Sequence, residues 1–575
     1  MNKFNLLLIT IFIFSGYTLF AQFPDKSSIP GMDTSGFSFK KLATDAVKIS
    51  GDIGTNGELY SVSGKKSQRP GSSGRLFLRP SISLFDKVTI NFDLFLSSEG
   101  SGARQDINTV KFNPEWSWGK LYYGDFNMEM SKFTLTDVLI SGYGIDLYPG
   151  IFKLQGFSGK SQKAIALDAA GSMYERTIYG GKIGLGEEAG SHLHINFLRS
   201  YDNMKSLSRD IFRQIDTVNT ASGTRVDTNY TGVTPQENLI AGINWGLNLF
   251  NNTFKMKSEI AMSLFTQDLY SAAVENKDLP EDINQYYTPR LTTSGDVAFN
   301  GEMSINTRPV QIKSGYTLVG PGYTSLGMGT LINDRQIITG GLGFNLFSGN
   351  LAIQTNFQRQ NDNTANQKLF TTERNNIAVM VSARPIKPLS VSVVTNMNNM
   401  GNDANNDTLK IDNTTASYGI NTNYMFEAFK YQNSVTFGYS TQNAESKSKI
   451  RGDNKVTSQN INLGLNTTIS KQLNAAVVMT FSNVDLGPRG QNSTQSFTGK
   501  VNHKMFDNKL SNVVAYTLVT ADASTSNVLT YRAGYEIFQS STISLNTRAT
   551  FFKGKGANPI KFSEYMTTFD WSYRF

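Results

Sequence analysis

The chain has 575 residues, of which 39% are hydrophobic and 17% charged, and its mean hydropathy is negative. These values argue against a bundle of apolar membrane helices, which need about 20 consecutive apolar residues each. The absence of cysteine excludes a lipid-modified cysteine, disulfides and thiolate metal sites. The net charge of +8 is small and spread along the chain, so we expect no nucleic-acid partner.

The first 21 residues have the layout of a secretory signal peptide, with Lys3, an apolar run at 6–14 and an exit at Ala21. We expect cleavage after Ala21 or within a residue or two of it. The run is too short to serve as a membrane anchor. Residues 22–41 are polar and read as a short periplasmic lead-in, with no room for a separate plug domain, and the barrel is predicted to occupy 42–575.

Further along the chain, apolar and polar residues alternate with a period of two. Residues 241–249 and 254–264 each place apolar side chains on one face and polar ones on the other, and Asn251-Asn252 lies between them. Residues 461–469 and 473–481 repeat the pattern. Such pairs predict β-hairpins. Further pairs lie at 75–96, 110–126, 177–199, 297–319, 337–357, 377–395, 417–439, 497–516 and 529–551.

This repeated period-two alternation predicts an all-β fold, a single large closed antiparallel transmembrane β-barrel of roughly 22–28 strands. The polar face is rich in Asn, Gly, Ser, Thr, Lys and Glu even in the middle of the chain. A soluble barrel of this size could not fill its interior with apolar side chains, whereas a membrane barrel has lipid outside and water or polar groups inside. We therefore expect an outer-membrane protein of a Gram-negative cell, in contact with the lipid bilayer.

The last predicted strand shows the alternation most clearly. Its aromatic face resembles the terminal strand by which outer-membrane barrels are recognised, so we expect a contact with the barrel-assembly machinery through the strand that ends at Phe575. A soluble edge strand would leave these aromatic side chains exposed to water. The face consists of Tyr565, Thr567, Phe569, Trp571, Tyr573 and Phe575.

Long polar connections at 97–106, 201–236, 266–293 and 398–413 are predicted to be external loops. A barrel of more than about twenty strands encloses a wide lumen. Loops folded inward, a partner protein or an open channel could each account for its contents, and the sequence leaves the three open.

The sequence offers few candidates for metal-binding or catalytic residues. His192 and His194 share one face of a strand, and a polar pair in the lumen is favoured over a metal site because no third ligand is identifiable. His503 shares its face with Val501 and Met505, which indicates a position near an interface; a hydrolase or protease built around it is the alternative. Glycines at 320–322 and 340–343 lack the context of a phosphate cradle and read as turn or barrel glycines.

We assign no catalytic, cofactor-binding or metal-binding residue and expect no enzymatic activity. The side chains predicted to face the lumen carry both signs, which suits internal ion pairs as well as an anion filter. They are Lys255, Lys257, Lys500, Lys504, Arg548 and Arg574 with Asp93, Glu259, Glu302 and Asp570.

Two groups of motifs are more specific than a generic barrel. The first comprises 114–119 (Pro-Glu-Trp-Ser-Trp-Gly), 123–125 (Tyr-Gly-Asp), 142–144 (Gly-Tyr-Gly) and 147–150 (Leu-Tyr-Pro-Gly). The second comprises 320–327 (Gly-Pro-Gly-Tyr-Thr-Ser-Leu-Gly) and 333–335 (Asn-Asp-Arg).

Together with the signal ending Phe20-Ala21-Gln22, these motifs resemble the large outer-membrane barrels of lineages with a type IX secretion system, in particular the plug subunit of the translocon. The resemblance implies an accessory partner that gates a large secretion translocon barrel, and no binding residue is carried over. The alternative function is a porin or solute channel, which the polar inward faces favour. The motif aromatics Trp116, Trp118 and Tyr123 also fit a membrane-interface girdle.

Overall fold

The structure is a computed structural model that describes residues 46–67, 69–98, 108–167, 171–209, 213–220, 223–230, 232–274, 287–450, 452–556 and 559–575. The predicted signal peptide (1–21) and lead-in (22–41) lie outside the described residues. Within the described part, no helix is long and apolar enough to cross a membrane.

The described residues form 28 strands and two short 3-10 helices, Phe347–Gly349 and Gly487–Arg489. The strands of the first half are β1 (Val47–Ser63), β2 (Ser72–Leu84), β3 (Val88–Ser97), β4 (Thr109–Trp116), β5 (Gly119–Asn127), β6 (Leu139–Leu147), β7 (Phe152–Gln162), β8 (Arg176–Leu185), β9 (His192–Asp202), β10 (Arg213–Thr220), β11 (Gly223–Tyr230), β12 (Glu237–Leu249), β13 (Phe254–Thr266) and β14 (Thr293–Asn306). Those of the second half are β15 (Val310–Val319), β16 (Arg335–Leu346), β17 (Leu351–Asn361), β18 (Thr372–Ile386), β19 (Leu389–Asn402), β20 (Asp412–Ala428), β21 (Tyr431–Ser446), β22 (Asn454–Thr468), β23 (Leu473–Asp485), β24 (Gln491–Met505), β25 (Leu510–Ala521), β26 (Ser524–Phe538), β27 (Ser541–Gly554) and β28 (Lys561–Arg574).

Twenty-six of these strands form one closed antiparallel sheet. Successive strands pair with each other, β9 pairs with β12, and β1 pairs with β28 from Asp52↔Arg574 to Ser63↔Ser563. The strands β10 and β11 form a separate hairpin within the loop between β9 and β12. Each sequence-predicted strand pair is a hairpin of the barrel, and the predicted range of 22–28 strands is confirmed.

The two faces of the wall differ as the alternation predicts. On β12, Ile243 and Leu247 point outward and are exposed, whereas Asn244 points inward and is buried. On β22, Leu463 lies beside the outward Phe437 and Met479, and Asn462 lies on the opposite face. Exposed apolar side chains surround the whole sheet, which a water-soluble protein could not tolerate. The protein is therefore an outer-membrane barrel with a lipid-facing exterior.

The two ends of the barrel carry connections of different length. At the end where β1 starts and β28 stops, the connections are short, such as 85–87, 307–309 and 429–430. The strands that flank the four predicted external loops meet at the other end, and parts of those loops, among them 99–106, 210–212 and 275–286, lie outside the described residues. Because outer-membrane barrels have short periplasmic turns and longer extracellular loops, the short-turn end is the periplasmic end.

The two faces predict opposite responses to the same substitution on β22. Leu463→Arg places a charge in lipid and is expected to destabilise the barrel by about 2–4 kcal/mol. Asn462→Arg, one residue away, places the charge in the lumen and is expected to change the unfolding free energy by less than about 1 kcal/mol. Urea unfolding in phospholipid vesicles measures both. Equal losses for the two variants would contradict the assignment of the faces.

Candidate functional site

The lumen holds the charged residues predicted to face inward, and register places each of them on the inner face. Around β1 to β4 they form ion pairs: the Asp93 carboxylate lies 3.3 Å from both the Arg79 and the Lys111 side-chain nitrogens. Asp570 accepts a hydrogen bond from Ser544. On this part of the wall, the inward-facing positive and negative side chains therefore largely pair with each other across neighbouring strands.

Two connections from the extracellular end fold into the barrel and meet. Inner loop 1 is 128–138, between β5 and β6, and inner loop 2 is 320–334, between β15 and β16. The Thr136 amide donates to the Gly327 carbonyl at 3.0 Å, and a parallel bridge links Thr136 to Met328. The Tyr323 hydroxyl donates to the Phe133 carbonyl at 2.9 Å. The two loops thus form one unit inside the lumen.

Glu259 on β13 fastens inner loop 1 to the wall. Its carboxylate accepts bonds from the Ser131 hydroxyl at 2.7 Å and from the Lys132 and Phe133 amides at 3.0 and 3.1 Å. The side chain is buried. Hydrogen bonds to an ionised acceptor are stronger than neutral ones, so this one carboxylate holds the turn of inner loop 1 in place.

Asn238 on β12 and Ser263 on β13 fasten inner loop 2. The Asn238 amide group donates to the Thr324 carbonyl and accepts from the Leu326 amide, both at 3.0 Å. The Ser263 hydroxyl donates to the same Thr324 carbonyl at 2.6 Å. Buried polar side chains on two neighbouring strands therefore form hydrogen bonds directly with the backbone of inner loop 2.

Beneath the polar anchors, the loops bury an apolar cluster against the inner wall. Two glycines permit this packing: a Cβ on Gly327 would lie 2.6 Å from the Thr134 carbonyl oxygen, and one on Gly144 would lie 3.0 Å from Met128. The burial of these side chains stabilises the loops in the lumen. The cluster consists of Phe126, Met128, Met130, Phe133, Leu135, Ile140, Phe157, Ile178, Leu198, Ile240, Ala261, Ala298, Val319 and Tyr323.

In the described residues, the apolar cluster under the inner loops extends along the wall from β5 to β15, and inner loop 2 ends at β16. On the opposite wall the inward polar side chains remain exposed to the lumen, among them Asn356, Asn396, Asn421 and Asn462. A groove of about 680 Å³ lies along β17 to β22 on this side. Its inward-facing lining includes Ala352, Ser382, Arg384, Ser390, Ser392, Asn421, Asn423, Thr436, Gly438 and Asn462.

The three histidines do not come together. His192 and His194 lie on the inner face of β9, stacked with ring centroids 4.8 Å apart, and the His194 Nε2 lies 2.8 Å from the Gly186 carbonyl. His503 lies on the outer face of β24, opposite Leu473 and Asn512. In the described part of the chain, no group of three or more His, Cys, Asp or Glu side chains could hold a metal ion.

Sequence reasoning missed the inner loops, although two signals pointed to them. The connection 128–138 carries Met128, Met130, Phe133 and Leu135, which is too apolar for a loop in water. Gly320 and Gly322, predicted to be turn or barrel glycines, lie against Asp296 of β14, whereas Gly327 allows inner loop 2 to approach Thr134 of inner loop 1. The motifs that carry the type IX resemblance thus include the second half of this unit.

Comparisons with known proteins give no family for this chain: no family model matches, and no curated protein matches. Solved structures that are similar in part include outer-membrane barrels. The P pilus usher PapC translocation pore is 11% identical, with 91% of this chain and 99% of that chain covered and a TM-score of 0.27. OccAB2 of Acinetobacter baumannii is 9% identical, with 67% of this chain and 98% of that chain covered and a TM-score of 0.30. The ferric citrate transporter FecA is 8% identical, with 91% of this chain and 79% of that chain covered and a TM-score of 0.34. These scores are too low to transfer a function, and the fold rests on the strand pairing of the chain itself.

Proposed function

We propose that this barrel is a passive channel for polar solutes across the outer membrane. The observation that carries the proposal is the division of the lumen: the inner loops cover the wall from β5 to β16, and the opposite wall exposes polar side chains, some of which line a groove. Water and solutes pass more readily beside a fixed obstruction than through a lumen filled by a plug. The inner loops then act as the constriction that sets the size limit.

The groove has the cation Arg384 in its lining, but the inner wall from β21 to β23 favours uncharged solutes. The inward residues of β21, β22 and β23 include Ser434, Thr436, Asn460, Asn462 and Thr480, and these three strands have no charged side chain on the inner face. Amide and hydroxyl groups both donate and accept hydrogen bonds. They can replace the water around a polyhydroxylated or amide-bearing solute without favouring either sign of charge.

Purified, folded protein in a planar bilayer is expected to conduct ions, and Glu259→Ala is expected to raise the unitary conductance about twofold or more, since three donors of inner loop 1 lose their charged acceptor. Glu302→Ala is the matched control: Glu302 also faces the lumen, one strand away, but its carboxylate accepts hydrogen bonds from the Asn300 and Lys132 side chains rather than from the backbone of inner loop 1. Its conductance is expected to stay near that of the unmodified protein.

Two outcomes would count against this function. A pure, folded barrel without measurable conductance would reject the channel itself. Equal effects of Glu259→Ala and Glu302→Ala would show that inner loop 1 does not limit the route. The swelling rate of vesicles that contain the protein then measures how fast each solute enters. Neutral sugars should enter faster than sugar acids of the same size.

An ion pair at the extracellular rim ties the end of inner loop 2 to the neighbouring loop at 362–371. Lys368 Nζ lies 2.5 Å from the Asp334 carboxylate, which also accepts bonds from the Thr364 amide and hydroxyl at 2.8 and 3.0 Å. Burial opposes ionisation of Asp334, but these donors outweigh it and hold its pKa below the usual value. The hydrogen bond to Asp334 raises the pKa of Lys368.

The signs of these shifts define a pH window. The stabilisation by Asp334 is complete above its unfolded pKa of about 3.9 and is lost as pH falls through the lower folded value; that by Lys368 is complete below about 10.4 and is lost as pH rises through the higher folded value. A nitroxide on Gln367→Cys in this cysteine-free chain is expected to be immobile from about pH 4 to pH 10 and mobile on both sides. With Asp334→Asn it should be mobile at pH 7; an immobile label there would contradict the pairing.

A second candidate is the accessory, gating partner of a type IX secretion translocon that the sequence motifs imply. The inner loops favour it in one respect, because a barrel with a partly obstructed lumen can cover the opening of a larger pore with less leakage than an empty one. Extraction in mild detergent followed by affinity purification should then recover a much larger barrel. Recovery of the chain alone, combined with conductance, would favour the channel over this candidate.

The C-terminal strand is proposed as the segment that the barrel-assembly machinery recognises. Its outward face carries aromatic side chains, and the backbone of Phe575 exchanges two hydrogen bonds of 3.0 Å with Gly51 at the closing seam. Recognition through the aromatic ring and closure through the backbone are separate contributions, so they can be tested apart.

Phe575→Ala retains the backbone bonds and removes the ring. We expect it to lower the folded fraction in the outer membrane severalfold while the purified variant refolds in detergent like the unmodified protein. Heat-modifiable mobility on gels measures both. Arg574→Gln, on the inward face, is the control and should assemble normally; equal assembly of Phe575→Ala would contradict recognition through this ring.

A further inference from the structure

Seven consecutive turns at the periplasmic end, between β12 and β25, alternate between aromatic and cationic tips. We call this set the rim arc. Because consecutive hairpins are neighbours in the barrel, the alternation in sequence becomes an alternation around half of the rim. The tips are Phe250, Arg308, Phe347, Lys387, Phe429, Lys471 and Phe506.

The four phenylalanines hold backbone conformations that this residue type avoids. Their φ values lie between 52° and 54°, in the left-handed region, where Gly, Asn and Asp are the usual turn residues. The same conformation recurs at Phe85 in the turn between β2 and β3. A bulky residue in this conformation is strained. Asparagine would serve the turn better, so the ring itself must be what these positions require.

Most of the surface of these rings is left uncovered by the chain. Phe429 is 92% exposed, Phe250 77% and Phe506 65%. Strained residues whose side chains point away from the protein indicate an external contact. The rings stand at the end of the lipid-facing surface, where aromatic side chains sit at the level of the lipid headgroups.

The cations of the rim arc are exposed and, in the part of the chain that the structure describes, unpaired with acids. They are Arg308, Lys387, Lys430, Lys471 and Lys509. Asp507 is the one acid in these seven turns, all of which are described. The turn at 186–191, elsewhere on the same rim, has the opposite character, with Glu187 and Glu188. The turn at 85–87 carries Lys87 beside Asp86, so the excess of cations over acids lies in the arc.

We propose that the rim arc is a binding surface for anionic phospholipids of the periplasmic leaflet. The phenylalanine rings enter the boundary between headgroups and acyl chains, and the cations between them contact the phosphates. The arc would fix the depth and tilt of the barrel in the bilayer. This inference is independent of what passes through the lumen.

The test is lipid retention by the full barrel, measured by native mass spectrometry after release from nanodiscs of equal phosphatidylglycerol and phosphatidylcholine. The unmodified protein is expected to retain phosphatidylglycerol in excess, by about tenfold. The variant Arg308→Gln/Lys387→Gln/Lys471→Gln should lose the preference and still retain phosphatidylcholine. Lys66→Gln/Lys447→Gln/Lys449→Gln, at the extracellular end, is the matched charge control and should keep it.

The variant Phe250→Asn/Phe347→Asn/Phe429→Asn separates lipid contact from turn structure. Asparagine suits the left-handed conformation, so this variant is expected to fold at least as well, as judged by heat-modifiable mobility, but to retain fewer lipids of both kinds. Unchanged retention in either triple variant, or no preference in the unmodified protein, would overturn the proposal. So would a dimer that the asparagine variant abolishes without any change in lipid, because the arc would then contact a second copy.

Discussion

Every peptide group in the hydrocarbon layer must find its hydrogen-bond partner within the protein, because lipid offers none. A sheet meets this constraint only if it has no edge, and here the pairing of β1 with β28 removes the last one. The remaining features follow from that closure. The wall has an outside that must suit lipid and an inside that must suit water, and a period-two sequence supplies both from alternate residues.

Closure around 26 strands creates a lumen too wide for wall side chains to fill. The chain fills part of it with two extracellular connections, which bury an apolar cluster inside an otherwise polar space. Glu259 and Asn238 connect that cluster to the wall through the loop backbone, so few side chains determine where the inner loops lie. The uncovered wall from β17 onward retains its polar surface, and the proposed route for solutes lies along it.

The sequence predicted what depends on local periodicity: the strand pairs, the outward aromatic face of β28 and the inward position of the charged residues. It also placed His192 with His194 on one face of a strand, and His503 on the same face as Val501 and Met505. It did not predict the inner loops, since a contact such as Tyr323 with Phe133 joins residues 190 positions apart and leaves no periodic signal. The turn phenylalanines were equally hidden, because a left-handed backbone at Phe429 is visible only in three dimensions.

The central claim is that one side of each strand touches lipid and the other touches water. Single cysteines introduced in turn at residues 459–466 of this cysteine-free chain, labelled with nitroxides in phospholipid vesicles, test it most directly. Collision with oxygen should peak at 461, 463 and 465, and collision with a water-soluble nickel chelate should peak at 460, 462, 464 and 466. Equal access of both reagents to all eight positions, or alternation in the opposite phase, would contradict the account.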